Sequence, residues 1–423
     1  MNTKHFDLIV AGGGFAGAAS AITAARKGLS VLLVERYNAL GGAAVHALVM
    51  PFMRYWDKRQ KDKTPDSAKG YFCGSVFLEV IREMQRITGE QNDTRFDEEV
   101  MKLVLNRMAV SAGVTLLYNS VVTEAVTAEG EISAVKVYTK GGMLTFSADY
   151  FIDATGDGEL STLAGCAFQL GREEDSLCQP MTLSFRLGGV DLEKYVEEKP
   201  GINPLYDEWK KAGKIKNPRE NVLIFLNYNQ GVLHFNTTRI VKKSPIDGFE
   251  VTQAEIEARE QVFEMLHFLK TNFKSFENAR VLSTAIQIGI RESRKIVGEY
   301  VLSNEDCLSL ARFEDAVAVS NYDIDIHNPE GSGTSHHYFA EGEWFQIPYR
   351  CLIPKGMKNL LVAGRCISAS HEAQASLRIM PYCAQLGQAA GNAVYLAKTS
   401  GVKTNEISVS ALQEILRKED FAI

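Results

Sequence analysis

Several large classes of protein are excluded by what this sequence lacks. Its 423 residues include only 7 cysteines, an odd and scattered set with no Cys-x-x-Cys spacing. A zinc ribbon or a vicinal redox disulfide is therefore not expected, and lone thiols fit a reducing, cytoplasmic compartment. Basic residues are not in excess: the formal net charge is -6, which argues against nucleic acid as the main partner. No charged, apolar and cleavable leader precedes the first apolar run near Phe6, so no secretory signal is expected. Residues 8–25 form a nearly uncharged run about long enough to span a bilayer. They are rich in Gly and Ala and contain a phosphate-loop pattern, so a buried strand and helix explain them better than a membrane span. There is no internal repeat and no low-complexity tract.

What is present fits a soluble two-domain protein with 45% hydrophobic and 23% charged residues, compatible with a homo-oligomer. Residues 6–11 read as a buried parallel strand, 15–27 as a helix of small residues stopped by Gly28, and 30–35 as a second buried strand. Residues 57–70 read as an exposed polar loop. Helices are expected near Ser75–Thr88 and 97–112, and strands at 115–118, 132–139, 143–147 and 150–154. From about residue 173 strand-like runs (181–187, 231–237) alternate with loops, followed by a long helix at 253–273. Residues 345–354 lead back to an apolar strand at 359–363 and a final Gly/Ala-rich helix at 381–399. The chain is therefore expected to leave a nucleotide domain (1–172), build a β-rich substrate domain (173–344) and return (345–423). The expected fold class is α/β, a Rossmann-like three-layer domain with an insertion.

Gly12-Gly13-Gly14-Phe15-Ala16-Gly17 satisfies G-x-G-x-x-G between a strand and a helix. Gly12 permits the tight turn, Gly14 lets a pyrophosphate approach the backbone, and Gly17 allows close helix packing. The helix start offers free N–H groups to phosphate. Glu35, at the end of the next strand, suits ribose hydroxyls and would repel a ribose phosphate, which disfavours NADP. This unit alone does not choose between NAD and FAD.

Glu35-Arg36 followed by Leu40-Gly41-Gly42, the run Ala154-Thr155-Gly156-Asp157-Gly158, and the stretch 361–391 around Gly364 resemble the three signatures of flavoproteins with the glutathione-reductase type of FAD fold. Residues 288–302 together with 346–354 resemble a broad bacterial set of FAD-dependent oxidoreductases. The resemblance covers most of the chain and implies FAD. The implied contacts are Gly12, Gly14, Phe15, Ala16, Gly17, Glu35, Arg36, Gly41, Gly42, Ala43, Val122, Ala154, Thr155, Gly156, Asp157, Gly364, Arg365, Gln374, Ser376 and Arg378. One departure stands out: many relatives carry Asp where this chain has Arg365, so the ribityl or phosphate bond of that Asp is not carried over. His46, just after Gly41-Gly42, lies where relatives with tethered flavin use a histidine; an ordinary packing histidine is the competing reading.

No second G-x-G-x-x-G follows a strand and no Cys-x-x-Cys exists, so neither a dedicated NADPH domain nor a disulfide relay is expected. The expected chemistry is hydride transfer between flavin N5 and a small organic substrate, with an unidentified electron acceptor or donor as second partner. Arg291 is a candidate to grip a carboxylate in two-pronged fashion, against a competing ion pair with Glu292 or Glu299. Arg294 in the same segment shares this reading. His371 has the intrinsic pKa for acid/base work. Arg378, Tyr349 and Arg350 are the other candidates for the pocket. His336-His337 lies in a polar loop with no third ligand at suggestive spacing; no metal is expected, and a loop over the substrate is the better reading. Two alternatives remain: an NAD-dependent dehydrogenase, and a non-catalytic binding protein on the same fold.

Overall fold

In the computed structural model, which describes residues 4–57, 70–91 and 94–423, alternation along the first strand creates two cores. In Lys4–Ala11, Leu8 and Val10 point to one face, and Ile9 and Ala11 to the other. Val31–Val34 pairs with it in parallel, Leu8 opposite Val31, and Thr115–Leu117 adds a further parallel strand. On its other side lies the long strand Gly142–Asp153, also parallel. The expected strands at 143–147 and 150–154 are thus a single element.

That long strand serves two neighbours in succession. Its first half pairs antiparallel with Glu131–Thr139, which pairs with Val121–Ala128. Its last residues, Phe151–Asp153, pair in parallel with Leu360–Val362. The C-terminal return therefore enters the sheet beside the ATGDG run, more than two hundred residues downstream of it. The meander covers one face through Ile132, Val135 and Val137. Helices Phe15–Arg26, Glu98–Ser111 and Met380–Ser400 cover the other. These are the three layers.

The first and last long helices touch at their backbones. A Cβ on Gly387 would lie 2.0 Å from the Ala16 carbonyl oxygen, and one on Gly391 would lie 2.6 Å from that of Ser20. Small residues one turn apart are what allow this approach.

The second core is built on an antiparallel sheet ordered Arg280–Thr284, Phe185–Gly188, Val232–Phe235, Ile224–Leu226. Helices Leu192–Lys211 and Gly248–Asn272 pack on it through Tyr195, Tyr206, Val262, Met265 and Phe268. Its buried members between Met181 and Ile288 are joined by Leu48, whereas Leu302, Val317, Tyr322 and Phe339 belong to the first core. The polar loop expected at 57–70 lies largely outside the described residues; at its base, Asp57 N–H donates to the Gly70 carbonyl at 2.8 Å. Among the described residues no helix is long and apolar enough to cross a membrane.

Candidate active site

A single cleft of about 610 Å³ runs from the glycine loop to the inserted sheet. Its nucleotide end is made of backbone. Gly12 takes φ +94°, and a Cβ on it would meet the Ala154 carbonyl oxygen at 2.5 Å. Gly17 packs so tightly that a Cβ would fall 1.8 Å from the Gly12 oxygen. Gly12, Gly14, Phe15 and Ala16 line the cleft, with Gly41, Gly42, Ala43 and Val122 facing them. The helix start at Gly14 has no side-chain cap and no acidic residue in its first turn, which leaves its N–H groups for an anion. A cradle without side chains, at an uncapped helix start, fits a pyrophosphate.

Glu35 is buried and lines the same cleft. Its carboxylate accepts from the backbone N–H groups of Gly13 and Tyr37, the latter at 2.9 Å. Arg36 pairs with Glu159. Ala154, Thr155, Gly156 and Asp157 line the next stretch, followed by Gly364 and Arg365. Arg365 answers the departure seen in the sequence: its guanidinium pairs with Asp157 at 2.8 Å and donates to Ser293 Oγ at 3.0 Å. His46 lines the cleft and donates through Nε2 to the Ala39 carbonyl at 3.0 Å; burial lowers its pKa.

Other expected residues fall elsewhere. Gln374 is wholly buried, and its amide holds the carbonyls of Arg291 and Arg365 at 3.2 and 3.4 Å. Ser376 donates to the Tyr322 carbonyl at 2.6 Å. Both brace the wall from behind. His371 does not reach the cleft: its Nδ1 meets Glu292 at 2.8 Å, and Glu292 also pairs with Lys295 at 2.7 Å, all buried. Tyr349 is buried, with its hydroxyl on the Thr404 carbonyl at 2.8 Å, and burial raises its pKa. Arg350 pairs with Asp315 on the surface. Arg294 donates to the Asp157 carbonyl and stacks on Phe168. None of these lines the cleft.

The far end of the cleft is charged. Arg291 forms no ion pair with Glu292 or Glu299; Nη1 donates to the Pro180 carbonyl at 2.6 Å and to Thr182 Oγ1 at 2.7 Å. Burial pulls its pKa well below the usual guanidinium range, and the like charges of Arg378 and Arg219 add to this. Arg378 reaches Asp325 Oδ2 at 3.5 Å. Asp325 and His327 come from the strand Ile324–His327, paired antiparallel with Thr334–His337. Two residues apart on a strand, they share a face. Burial would raise the Asp325 pKa, but His327, Arg378 and His336 outweigh it, and the carboxyl titrates below the ordinary range. His327 Nδ1 faces Arg239 Nη2 at 3.0 Å. A guanidinium only donates, so Nδ1 is the acceptor and the proton sits on Nε2, towards Asp325 Oδ2 at 3.4 Å. Burial, then the Arg291 charge, lowers the His327 pKa to about 3.

Arg219, Glu220, Tyr322, Asp325, His327 and His336 also line this end, and only His336 drew notice in the sequence, within a polar loop. The available signal was the alternation Ile-Asp-Ile-His at 324–327. Among the described residues no group of His, Cys, Asp and Glu is arranged to hold a metal ion.

Residues 7–416 match the family described as FAD dependent oxidoreductase. Digeranylgeranylglycerophospholipid reductase 1 of Methanococcoides burtonii is 25% identical over 199 residues, 45% of this chain and 46% of that protein. A soluble pyridine nucleotide transhydrogenase of Photorhabdus laumondii is 31% identical over 102 residues, 22% of each chain. The chain thus spans less than half the length of these curated relatives. A geranylgeranyl bacteriochlorophyll reductase-like structure from Thermoplasma acidophilum aligns over 99% of this chain and 85% of its own, at 12% identity and TM-score 0.47. The chain belongs to the FAD-dependent oxidoreductases, an enzyme family whose cofactor is FAD.

Proposed function

We propose that this enzyme transfers hydride between FAD and a small organic substrate held at the charged end of the cleft. The observation that carries the reading is the continuity of one cleft from the glycine cradle to Arg291, Arg378 and Asp325. The meander and the Leu360–Val362 return support the finer reading as a glutathione-reductase type of FAD fold. FAD, when bound, supplies the hydride acceptor or donor. Gly12, Gly14 and the Phe15 helix start would hold its pyrophosphate, Glu35 its ribose, and Val122 would border the adenosine end.

The protein's own groups do the positioning. Arg291 and Arg378 orient the substrate. Asp325 keeps Oδ1 free to accept a hydrogen bond from the substrate, while Tyr322 and the His327 Nε2 proton hold its other oxygen. The insert between residues 173 and 344 supplies much of this wall and excludes water from it. His371 and Tyr349 take no part, because neither reaches the cleft.

The test is anaerobic mixing of the yellow holoprotein with a panel of hydroxy acids, amines, sugars and unsaturated acids, following flavin absorbance. Rapid bleaching by an organic substrate is expected. Rapid bleaching by NAD(P)H alone, with none of the panel active, overturns the direct-substrate reading.

A further inference from the structure

The far wall of the cleft holds cations that the protein does not neutralise. Arg219 is 5% exposed and lines the cleft, and its Nη1 is buried with no hydrogen-bond partner. Among the described residues its only carboxylate neighbour within ion-pair range is Glu220, 3.9 Å from Nε. Glu220 is already engaged by Arg239 at 3.1 Å, behind the wall. Arg291 forms no ion pair among the described residues, and both of its hydrogen bonds use Nη1. Arg378 has a buried Nε without a partner; its Nη2 donates to the Asp325 carbonyl at 3.3 Å and lies only loosely, at 3.5 Å, from that residue's carboxylate. Three guanidinium groups therefore face one space, and the carboxylates set against them are Asp325, loosely held, and Glu220, which Arg239 already engages.

Burying cations without counter-charge is strongly unfavourable unless something supplies the charge. A guanidinium offers parallel donors in a planar fork, the geometry of a carboxylate. One acceptor is also unused. Asp325 Oδ1 is buried and accepts no hydrogen bond; His336 Nδ1 lies 3.6 Å from it. Leu223, Phe225 and Ile290 add apolar surface to the wall, beside the polar Ser184, Asn221 and Asn236.

We infer that the ligand of this end of the cleft is a small organic acid, its carboxylate held by Arg219, Arg291 and Arg378, and its own N–H or O–H donor given to Asp325. This rests on the proposed substrate reading and adds the chemical class. It separates the two ends of the cleft: backbone N–H groups take the phosphates, and guanidinium groups take the substrate. Hydroxy acids and amino acids both satisfy the inference; plain acids satisfy half of it.

Calorimetric titration of the holoprotein with benzoate, succinate, lactate and alanine, against benzamide and succinamide as neutral controls, tests it. The acids are expected to bind at least tenfold more tightly than the amides. Lactate or alanine should bind more tightly than propionate, titrated alongside them, and Asp325→Asn should remove that increment alone. Arg219→Met and Arg291→Met, which keep the stem and delete the charge, should each weaken acid binding at least tenfold with flavin content unchanged. Arg291→Lys should recover part of the loss. Equal binding of amides and acids, or wild-type acid affinity in both Met variants, overturns the inference. Loss of flavin from the Met variants overturns it too, by moving these arginines to the cofactor. Neutral compounds that bleach the flavin while acids fail to bind would sink the acid class and leave hydride transfer standing. Acids that bind through the arginines while only NAD(P)H bleaches the flavin would do the reverse.

Discussion

Asp157 and Arg365 meet at 2.8 Å across 208 residues of sequence. One comes from the turn after the long central strand, the other from the turn after Leu360–Val362, which pairs with that strand. The pair ties the two halves of the cleft together, and Gly156 lies so close that a Cβ there would sit 2.9 Å from the guanidinium.

Both side chains are 19% exposed, so the pair is screened less than a surface bridge. A double-mutant cycle with Asp157→Asn and Arg365→Met is expected to give a coupling of about 1–3 kcal/mol in urea unfolding of the apoprotein. Single substitutions that add within about 0.5 kcal/mol would show the pair to be incidental.

The glycines that close the first layer give a second prediction. Gly17→Ala and Gly387→Ala both place a methyl group about 2 Å or less from a backbone oxygen, and backbone cannot swing aside as a side chain can. Each should cost about 2 kcal/mol or more. Each should also weaken FAD retention, since the first turn of the Phe15 helix moves. Gly248→Ala is the control. It opens the helix Gly248–Asn272 after the Asp247 cap, with nothing within 4 Å of its added Cβ. It should be neutral, or stabilising by up to about 1 kcal/mol. Urea midpoints and flavin loss on dialysis read both effects.

These contrasts bear on what the sequence reveals. The βαβ unit and the C-terminal return were legible because buried parallel strands are continuous apolar runs and a phosphate loop needs glycine at fixed positions. Val121–Ala128 was not, because it is an exposed hairpin strand with no apolar face. Leu192–Lys211 was hidden by Pro200 and Pro204, residues that normally argue against a helix interior. Its buried residues, Tyr195, Ile202 and Tyr206, are too sparse to show a helical stripe. At the site, Arg291 and Arg378 were recognisable as cations but Arg219 was not. What distinguishes it is an unpaired buried Nη1, a property of tertiary packing. His371 misled for the same reason: its partner, Glu292, lies 79 positions away.

That partner network carries a third prediction. Glu292 and Lys295 have side chains 0% and 1% exposed. Burial alone would raise the Glu292 pKa, but the hydrogen bond and charge of His371, with Lys295, outweigh it and hold the pKa below 4.5. A depressed carboxyl contributes stability that is complete above its unfolded pKa and fades as pH falls through the folded one. The wild-type protein should therefore lose stability below about pH 4.5 in part through this group. Glu292→Gln should cost about 3–5 kcal/mol at pH 7, because Lys295 is left as an uncompensated buried cation. It should also flatten the acid limb of the stability–pH curve. An unchanged acid limb would show that Glu292 does not titrate with unfolding.

The fourth prediction concerns His234, on the inserted sheet. It is 0% exposed, and neither ring nitrogen has a partner. Burial, then the Arg186 charge, lowers its pKa to about 3 from an ordinary 6.5. For a depressed histidine the sign is opposite to that of a salt-bridged one. Between pH 6.5 and 3 the unfolded chain takes up a proton that the folded chain refuses, so stability falls as pH falls, by up to about 1.4 kcal/mol per unit. His234→Phe removes that uptake and leaves no buried ring nitrogen without a partner. The larger ring adds volume, so at pH 7.5 the net change should be small. At pH 5 the variant should unfold at a higher urea concentration than wild type, and the gap should widen towards pH 4. Parallel stability curves for the two proteins from pH 7.5 to 4 would show that His234 takes up its proton alike in the folded and unfolded chain, which overturns the prediction.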